Sequence, residues 1–224
     1  MEQELQSVTL TSQALERLRQ AILDGRFVAG QKLVERELCA LTGASRSILR
    51  EALVHLEAKG LIERQSYRGF TVALLDEEKI KEIFELRTIL ETQAAELFTQ
   101  RATDEEITLL KSTFRKLEDC EQAFDLGEAR QIKEHFYEIL FDGCRNREIK
   151  NALSNVTDRI YFLRSQLMMD ENRRSASLIE MKHLTNALAT RDRWAARATS
   201  LEHLQAAEAT ILAQLATQRI SQAA

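Results

Sequence analysis

The sequence predicts a mainly α-helical protein: an N-terminal winged helix-turn-helix followed by an all-helical antiparallel bundle of about six helices. Three observations carry that prediction. Proline is absent from the 224 residues and glycine occurs seven times, while Ala, Leu, Glu, Gln and Arg, all good helix formers, dominate. Five of the glycines, Gly25, Gly30, Gly43, Gly60 and Gly69, fall in the first 69 residues, where they punctuate short elements. Charge changes at the same place: residues 1–75 carry 10 Lys and Arg against 9 Asp and Glu, whereas residues 76–224 carry 21 against 26. The expected division is therefore a small domain of residues 1–75 and a larger one of residues 76–224.

Taken in order, Ser12 to Asp24 repeats apolar residues at helical spacing (Leu15, Leu18, Ile22) and ends at Gly25. A second helix runs from about Glu35 to Leu41. Ser45 suits the N-cap of a third, whose stripe Leu49, Ala52, Leu53, Leu56 follows i, i+3, i+4, i+7 before Gly60 closes it. The run "LIERQSYRGFTVALL" then offers two short β-prone segments, a hairpin with Gly69 near its tip. In the second part, Asp76 caps a helix through about Gln100, and Thr103 with Glu106 forms a capping box for one reaching about Leu126. Further helices are expected over roughly 128–142, 147–169, 177–190 and 192–218, with a second capping box at Ser177 and Glu180. "MMDENRRSAS" is read as the loop between two of them.

Three short helices and a hairpin place the third helix where it can enter a DNA major groove. Arg46 and Arg50 stand in its first two turns beside the buried stripe. Arginine is the commonest reader of guanine O6 and N7, while Ser45, Ser47 and the backbone amides at the helix start suit phosphates. Spacing alone favours the plainer reading, in which the two arginines decorate a solvated face. The stretch "FVAGQKLVERELCALTGASRSILREALVHLEAKGLIERQSYRGFTV" resembles the N-terminal domain of the GntR family of bacterial transcription regulators. The matching positions include Gly30, Leu33, Leu38, Gly43, Ser45, Arg46, Arg50, Glu51, Ala52, Leu53, Leu56, Gly60, Leu61 and Gly69. The resemblance implies DNA contacts from Arg36, Arg46 and Arg50, and a wing carrying Arg68 and Gly69. Ala29 and Ile48 stand where that family usually has proline. Glu51 is expected to serve as a packing or capping partner. A net charge of only +1 on this part implies weak non-specific attraction, so a homodimer on a near-palindromic operator is expected.

The helical half resembles the FCD-type ligand-binding domain of the FadR subgroup, through "ELRTILETQAAEL", "FYEILFDGCRN" and "EMKHLTNALATRDRWAARATSLEHL". Many such domains hold a divalent metal through an aspartate, a histidine four residues later and two further histidines. At those positions this chain has Lys133, Tyr137, Met181 and His203, so no metal or other cofactor is expected. Lys133 brings a positive charge to the metal's place, and with Tyr137 and His203 it could receive a carboxylate or phosphate directly. Arg87 interrupts the stripe Ile80, Ile83, Phe84, Leu90, Ala94 and should point inward. Arg159 and Arg164 are weaker candidates. The expected effector set is thus Arg87, Lys133, Tyr137, Arg164, Met181 and His203, for a small anionic ligand such as an organic acid. Competing readings stay open: Arg87 can pair with Glu91, Met181 can pack with Leu184 and Leu188, and Lys133 can be solvated.

Other functions find little support. No nucleophile elbow, phosphate-binding glycine loop or HExxH motif is present, and His55, His135, His183 and His203 form no pattern. Cys39, Cys120 and Cys144 are far apart, which suggests neither a disulfide framework nor a zinc site. With no signal-like start and no run of about 18 apolar residues, a cytoplasmic protein without membrane contact is expected. The expected function is a ligand-responsive repressor, or alternatively a regulator whose helical half is only a dimerisation scaffold.

Overall fold

The computed structural model describes residues 2–65, 69–123, 126–154, 156–168 and 170–223. The chain divides into two compact units, one of residues 1–75 with 156–165, the other of residues 76–155 with 166–224.

The first unit opens with α1 (Glu2–Leu23), which starts earlier than the apolar repeat from Ser12 predicts. Strand β1 (Lys32–Leu33), α2 (Glu35–Thr42), α3 (Arg46–Ala58), β2 (Ile62–Gln65) and β3 (Gly69–Val72) follow. Gly43, in the left-handed region at φ 71°, ends α2 by donating its N–H to Cys39 O. Ser45 caps α3 through a long hydrogen bond from Ile48 N–H, 3.5 Å. The expected hairpin forms, with β2 and β3 antiparallel and Glu63 opposite Thr71. Strand β1, which alternation could not reveal in two residues, adds to the other edge of β3.

The core of this unit is the predicted stripe seen from both sides. Leu49, Ala52, Leu53 and Leu56 of α3 are all at most 1 % exposed, and Ala14, Leu18 and Ile22 of α1 and Leu38 of α2 are buried with them. Thr11 Oγ1 donates to Glu51 Oε2 at 3.1 Å, giving Glu51 the expected partner role. Residues 156–165 add a buried carboxylate: Asp158 accepts from Arg19 Nε and pairs with Lys59 Nζ at 2.9 Å. Burial opposes its charge, but these two cations outweigh it and hold the Asp158 carboxyl below the usual carboxylate range.

The second unit begins with α4 (Glu77–Arg101), capped by Asp76 Oδ1, which accepts from Lys79 N–H at 2.8 Å. Helix α5 (Asp104–Ala123) has the predicted reciprocal box: Thr103 N–H donates to Glu106 Oε2 at 2.9 Å and Glu106 N–H to Thr103 Oγ1 at 3.2 Å. Then come α6 (Leu126–Gly143), α7 (Arg147–Ser154), α8 (Thr157–Met168), whose residues up to 165 belong to the first unit, α9 (Glu171–Ala189) and α10 (Arg193–Ala223). Helix α4 lies along α10, α5 packs on α6, and α9 packs on both α10 and α5. Phe98, Leu110, Phe114, Leu117, Phe136, Leu140, Met181, Leu184 and Leu188 form the shared core.

Two sequence expectations fail in this half. The single helix over 147–169 is two, α7 and α8, so the described helices after Asp76 number seven rather than six. The presumed loop "MMDENRRSAS" is mostly the start of α9. Asp170 Oδ1 caps that helix by accepting from Arg173 N–H at 3.0 Å, so Ser177 and Glu180 are interior residues and not a capping box. Local composition, polar and charged, suggested a loop; an aspartate cap and packing of the helix against its neighbours decide otherwise.

Candidate DNA-binding surface and effector pocket

On α3 the buried stripe turns its opposite face outward, and Arg46, Ser47 and Arg50 are exposed there. Ser45 Oγ lies 3.1 Å from Ser47 Oγ, so the two hydroxyls sit together at the helix start. Arg36 is exposed on α2. Neither Arg36 nor Arg46 has an ion-pair or hydrogen-bond partner among the described residues. Arg50 does: its Nε donates to Glu35 Oε1 at 3.0 Å and its Nη2 to Glu35 Oε2 at 3.2 Å. Gly69 begins β3 at φ 86°, a backbone state that glycine adopts without cost. Arg68 lies outside the described residues.

In the helical unit the sequence-derived residues are buried but only partly connected. Arg87 is 1 % exposed, as its place in the apolar stripe requires, yet its Nε donates to Glu91 Oε1 at 2.7 Å and its guanidinium stacks over Phe84. The alternative pairing with Glu91 is therefore the one that forms. Arg87 Nη1 is buried with no hydrogen-bond partner among the described residues. Lys133 is buried rather than solvated, and its Nζ donates to Ser177 Oγ on α9 at 3.0 Å. Tyr137, one turn on, packs edge-on against Phe136 and tilted against Phe141. Met181 is fully buried in the shared core with Leu184 and Leu188. The Arg164 side chain lies outside the described residues.

His203 of α10 meets a carboxylate that the sequence reading overlooked. Its Nδ1–H donates to Glu180 Oε2 at 2.6 Å, while Arg173 Nη1 and Nη2 donate to the two oxygens of Glu180, each at 2.6 Å. Burial pushes the His203 imidazole down to about 4, against the pull of Glu180, with the Lys133 charge lowering it further. Burial works against the Glu180 charge, but hydrogen bonds from His203 and Arg173 prevail and hold it down to about 2. At neutral pH the trio is thus an ionised Arg173–Glu180 pair with a neutral imidazole whose Nδ1 carries the proton.

These side chains do not fit a divalent metal. The ammonium of Lys133 is engaged as a donor, Met181 offers a thioether inside an apolar core, and Glu180 is saturated by a guanidinium. No group of three His, Cys, Asp or Glu side chains converges among the described residues. Sequence reasoning missed Arg173, Ser177 and Glu180 as site residues because it placed Arg173 in a loop and gave Ser177 and Glu180 a capping role at a later helix start. Residues seven apart fall on one helical face two turns apart, so an earlier helix start would have paired Arg173 with Glu180. Glu35 was passed over because its partner is 15 residues distant, on another helix.

A three-helix unit with a small antiparallel wing, followed by a helical bundle, has the architecture of a winged-helix DNA-binding regulator with a separate helical domain. The chain belongs to the gntR family of bacterial regulatory proteins, which matches residues 10–72, and carries an FCD domain over residues 82–206. It is 32 % identical over 195 residues to the uncharacterized HTH-type transcriptional regulator YdhC of Bacillus subtilis (strain 168), covering 85 % of this chain and 86 % of that protein. It is 28 % identical over 210 residues to the galactonate operon transcriptional repressor of Escherichia coli (strain K12), covering 82 % and 89 %. The solved structure of E. coli McbR/YncC shares the fold, with a TM-score of 0.79 at 21 % identity over 92 % of this chain and 98 % of that one. The protein is a DNA-binding transcription regulator and not an enzyme. Among the described residues no helix is long and apolar enough to cross a membrane.

Proposed function

We propose that the protein is a cytoplasmic homodimeric repressor. In this reading residues 1–75 bind DNA and residues 76–224 dimerise and bind a small anionic effector. Two copies of α3 meet successive half-sites of a near-palindromic operator, with Arg46 and Arg50 toward base edges and Ser45, Ser47 and Arg36 toward the backbone. Arg68 and Gly69 belong to the wing. The observation that carries this is the exposure of Arg46, Ser47 and Arg50 on the face of α3 opposite its buried stripe. The repressor at the galactonate operon supports the sign of regulation by similarity.

The effector is a carboxylate or phosphate received by Lys133, with Tyr137, Met181, His203 and Arg87 around it. A buried ammonium hydrogen-bonded to a serine supports this part, because burial strengthens a charge-assisted contact. Ligand binding would shift the DNA-binding units between two arrangements of different operator affinity. A second reading, a non-sensing dimerisation scaffold, is favoured by one observation: Arg87 and Arg173 already hold carboxylates of the chain itself. Selection of bound duplexes from a random library, followed by release assays with a panel of organic acids, separates the two. Operator binding that no acid or phosphate ester alters would favour the scaffold, and failure to select any sequence would refute the DNA-binding roles given to α3.

A further inference from the structure

Of the three helix-borne arginines assigned to DNA, Arg36, Arg46 and Arg50, two are unpartnered among the described residues and one is held. Glu35 grips Arg50 along one edge of the guanidinium, Oε1 to Nε at 3.0 Å and Oε2 to Nη2 at 3.2 Å. Both side chains are accessible, Arg50 at 67 % and Glu35 at 36 %. An exposed pair of this kind adds little to folding stability. Its effect lies in what it leaves available. A guanidinium offers five N–H donors in a rigid plane. With the Nε/Nη2 edge occupied, the remaining fork is the end formed by Nη1 and the outer N–H of Nη2. That end can take guanine O6 and N7 together, the geometry of the commonest specific arginine contact. A long side chain that is already held loses less rotamer freedom on binding. The negative charge of Glu35 beside it also disfavours a phosphate as the partner of Arg50. As DNA excludes water from the pair, the grip tightens.

We infer that Glu35 and Arg50 act as one two-residue reader, in which Glu35 is a specificity-determining positioning residue that presents Arg50 end-on to a guanine in each half-site. Arg36 and Arg46, with no such partner, remain adaptable contacts. The inference rests on the reading that Arg50 reaches a base edge.

Glu35 also stands in the first turn of α2, where a carboxylate complements the helix dipole. The test therefore reads base preference rather than stability. Full-length wild type, Glu35→Gln and Arg50→Ala are each used to select duplexes from a random library, and relative affinities are then measured on sites carrying each base at every position. The expected result is that Glu35→Gln lowers discrimination at one position per half-site by about tenfold, within the range of a single bidentate contact. The same position should be the one that Arg50→Ala relaxes, and Glu35→Gln should add nothing in the Arg50→Ala background. Glu35→Asp, which keeps the charge but withdraws it, should give a smaller loss. If Arg50→Ala relaxes a position and Glu35→Gln leaves it sharp, or weakens all sequences equally, the positioning role is overturned. If Arg50→Ala relaxes no position, the base-reading role of Arg50 fails first.

Discussion

His203 Nδ1 and Glu180 Oε2 stand 2.6 Å apart, and the same carboxylate closes a two-point ion pair with Arg173 one helix over from the imidazole. The neutral ring and the charged carboxylate both make stability depend on pH in the same direction. His203 ionises at about 4 in the fold against 6.5 ordinarily, so between those values the unfolded chain holds the extra proton and stability is lost as pH falls through that window. Glu180, held at about 2 instead of 4.5, removes more as pH falls below 4.5. The melting temperature should fall between pH 7 and pH 5, and His203→Gln should flatten that fall. His55, His135 and His183 are exposed and do not share this environment. Equal slopes for variant and wild type would contradict the assignment.

Lys133→Met should lower the melting temperature only slightly, because the apolar stem stays packed while Ser177 Oγ loses its donor. On the proposed reading of Lys133 as the anion's partner, it should also abolish any release of the operator by an organic acid or phosphate ester. A fall of several degrees would instead assign Lys133, with its contact to Ser177, a purely structural role.

Chelation should not matter. Exhaustive treatment with EDTA is expected to leave thermal stability and operator binding as they were, and elemental analysis of the purified protein should find no stoichiometric transition metal. A tightly bound metal would show that Lys133 and Met181 do not replace the ligand set.

Gly143→Ala should destabilise the helical unit by about 1–3 kcal/mol, the usual cost of overpacking. A Cβ at Gly143 would lie 2.5 Å from the Phe98 ring, which is fully buried and has little room to retreat. Chemical denaturation measures it, and a neutral result would mean that the ring can move.

Arg46→Ala and Arg50→Ala should each weaken binding to a selected operator by at least about tenfold, with unchanged helical content by circular dichroism. Unchanged affinity in both would remove α3 from the interface.

Much of this was legible along the chain because its causes are local. The α3 stripe, the Ser45 and Asp76 caps and the Thr103–Glu106 box each involve residues within a turn or two, where spacing alone brings side chains together. The burial of Arg87 followed from its place among Ile83, Phe84 and Ala94 on one helical face. The start of α9 was not legible, since "MMDENRRSAS" is polar enough for a loop and only its packing and the Asp170 cap make it helical.

The sequence by itself determined the class of protein and most of its helices with their caps, because periodicity and capping are properties of residue type and short spacing. Only the tertiary structure decided which charges meet. Glu35 reaches Arg50 across 15 residues, Lys133 reaches Ser177 across 44, and His203 reaches Glu180 across 23. Which of many carboxylates or hydroxyls lies opposite a given cation depends on how helices pack, and packing is set by the whole apolar surface rather than by any charged residue in it.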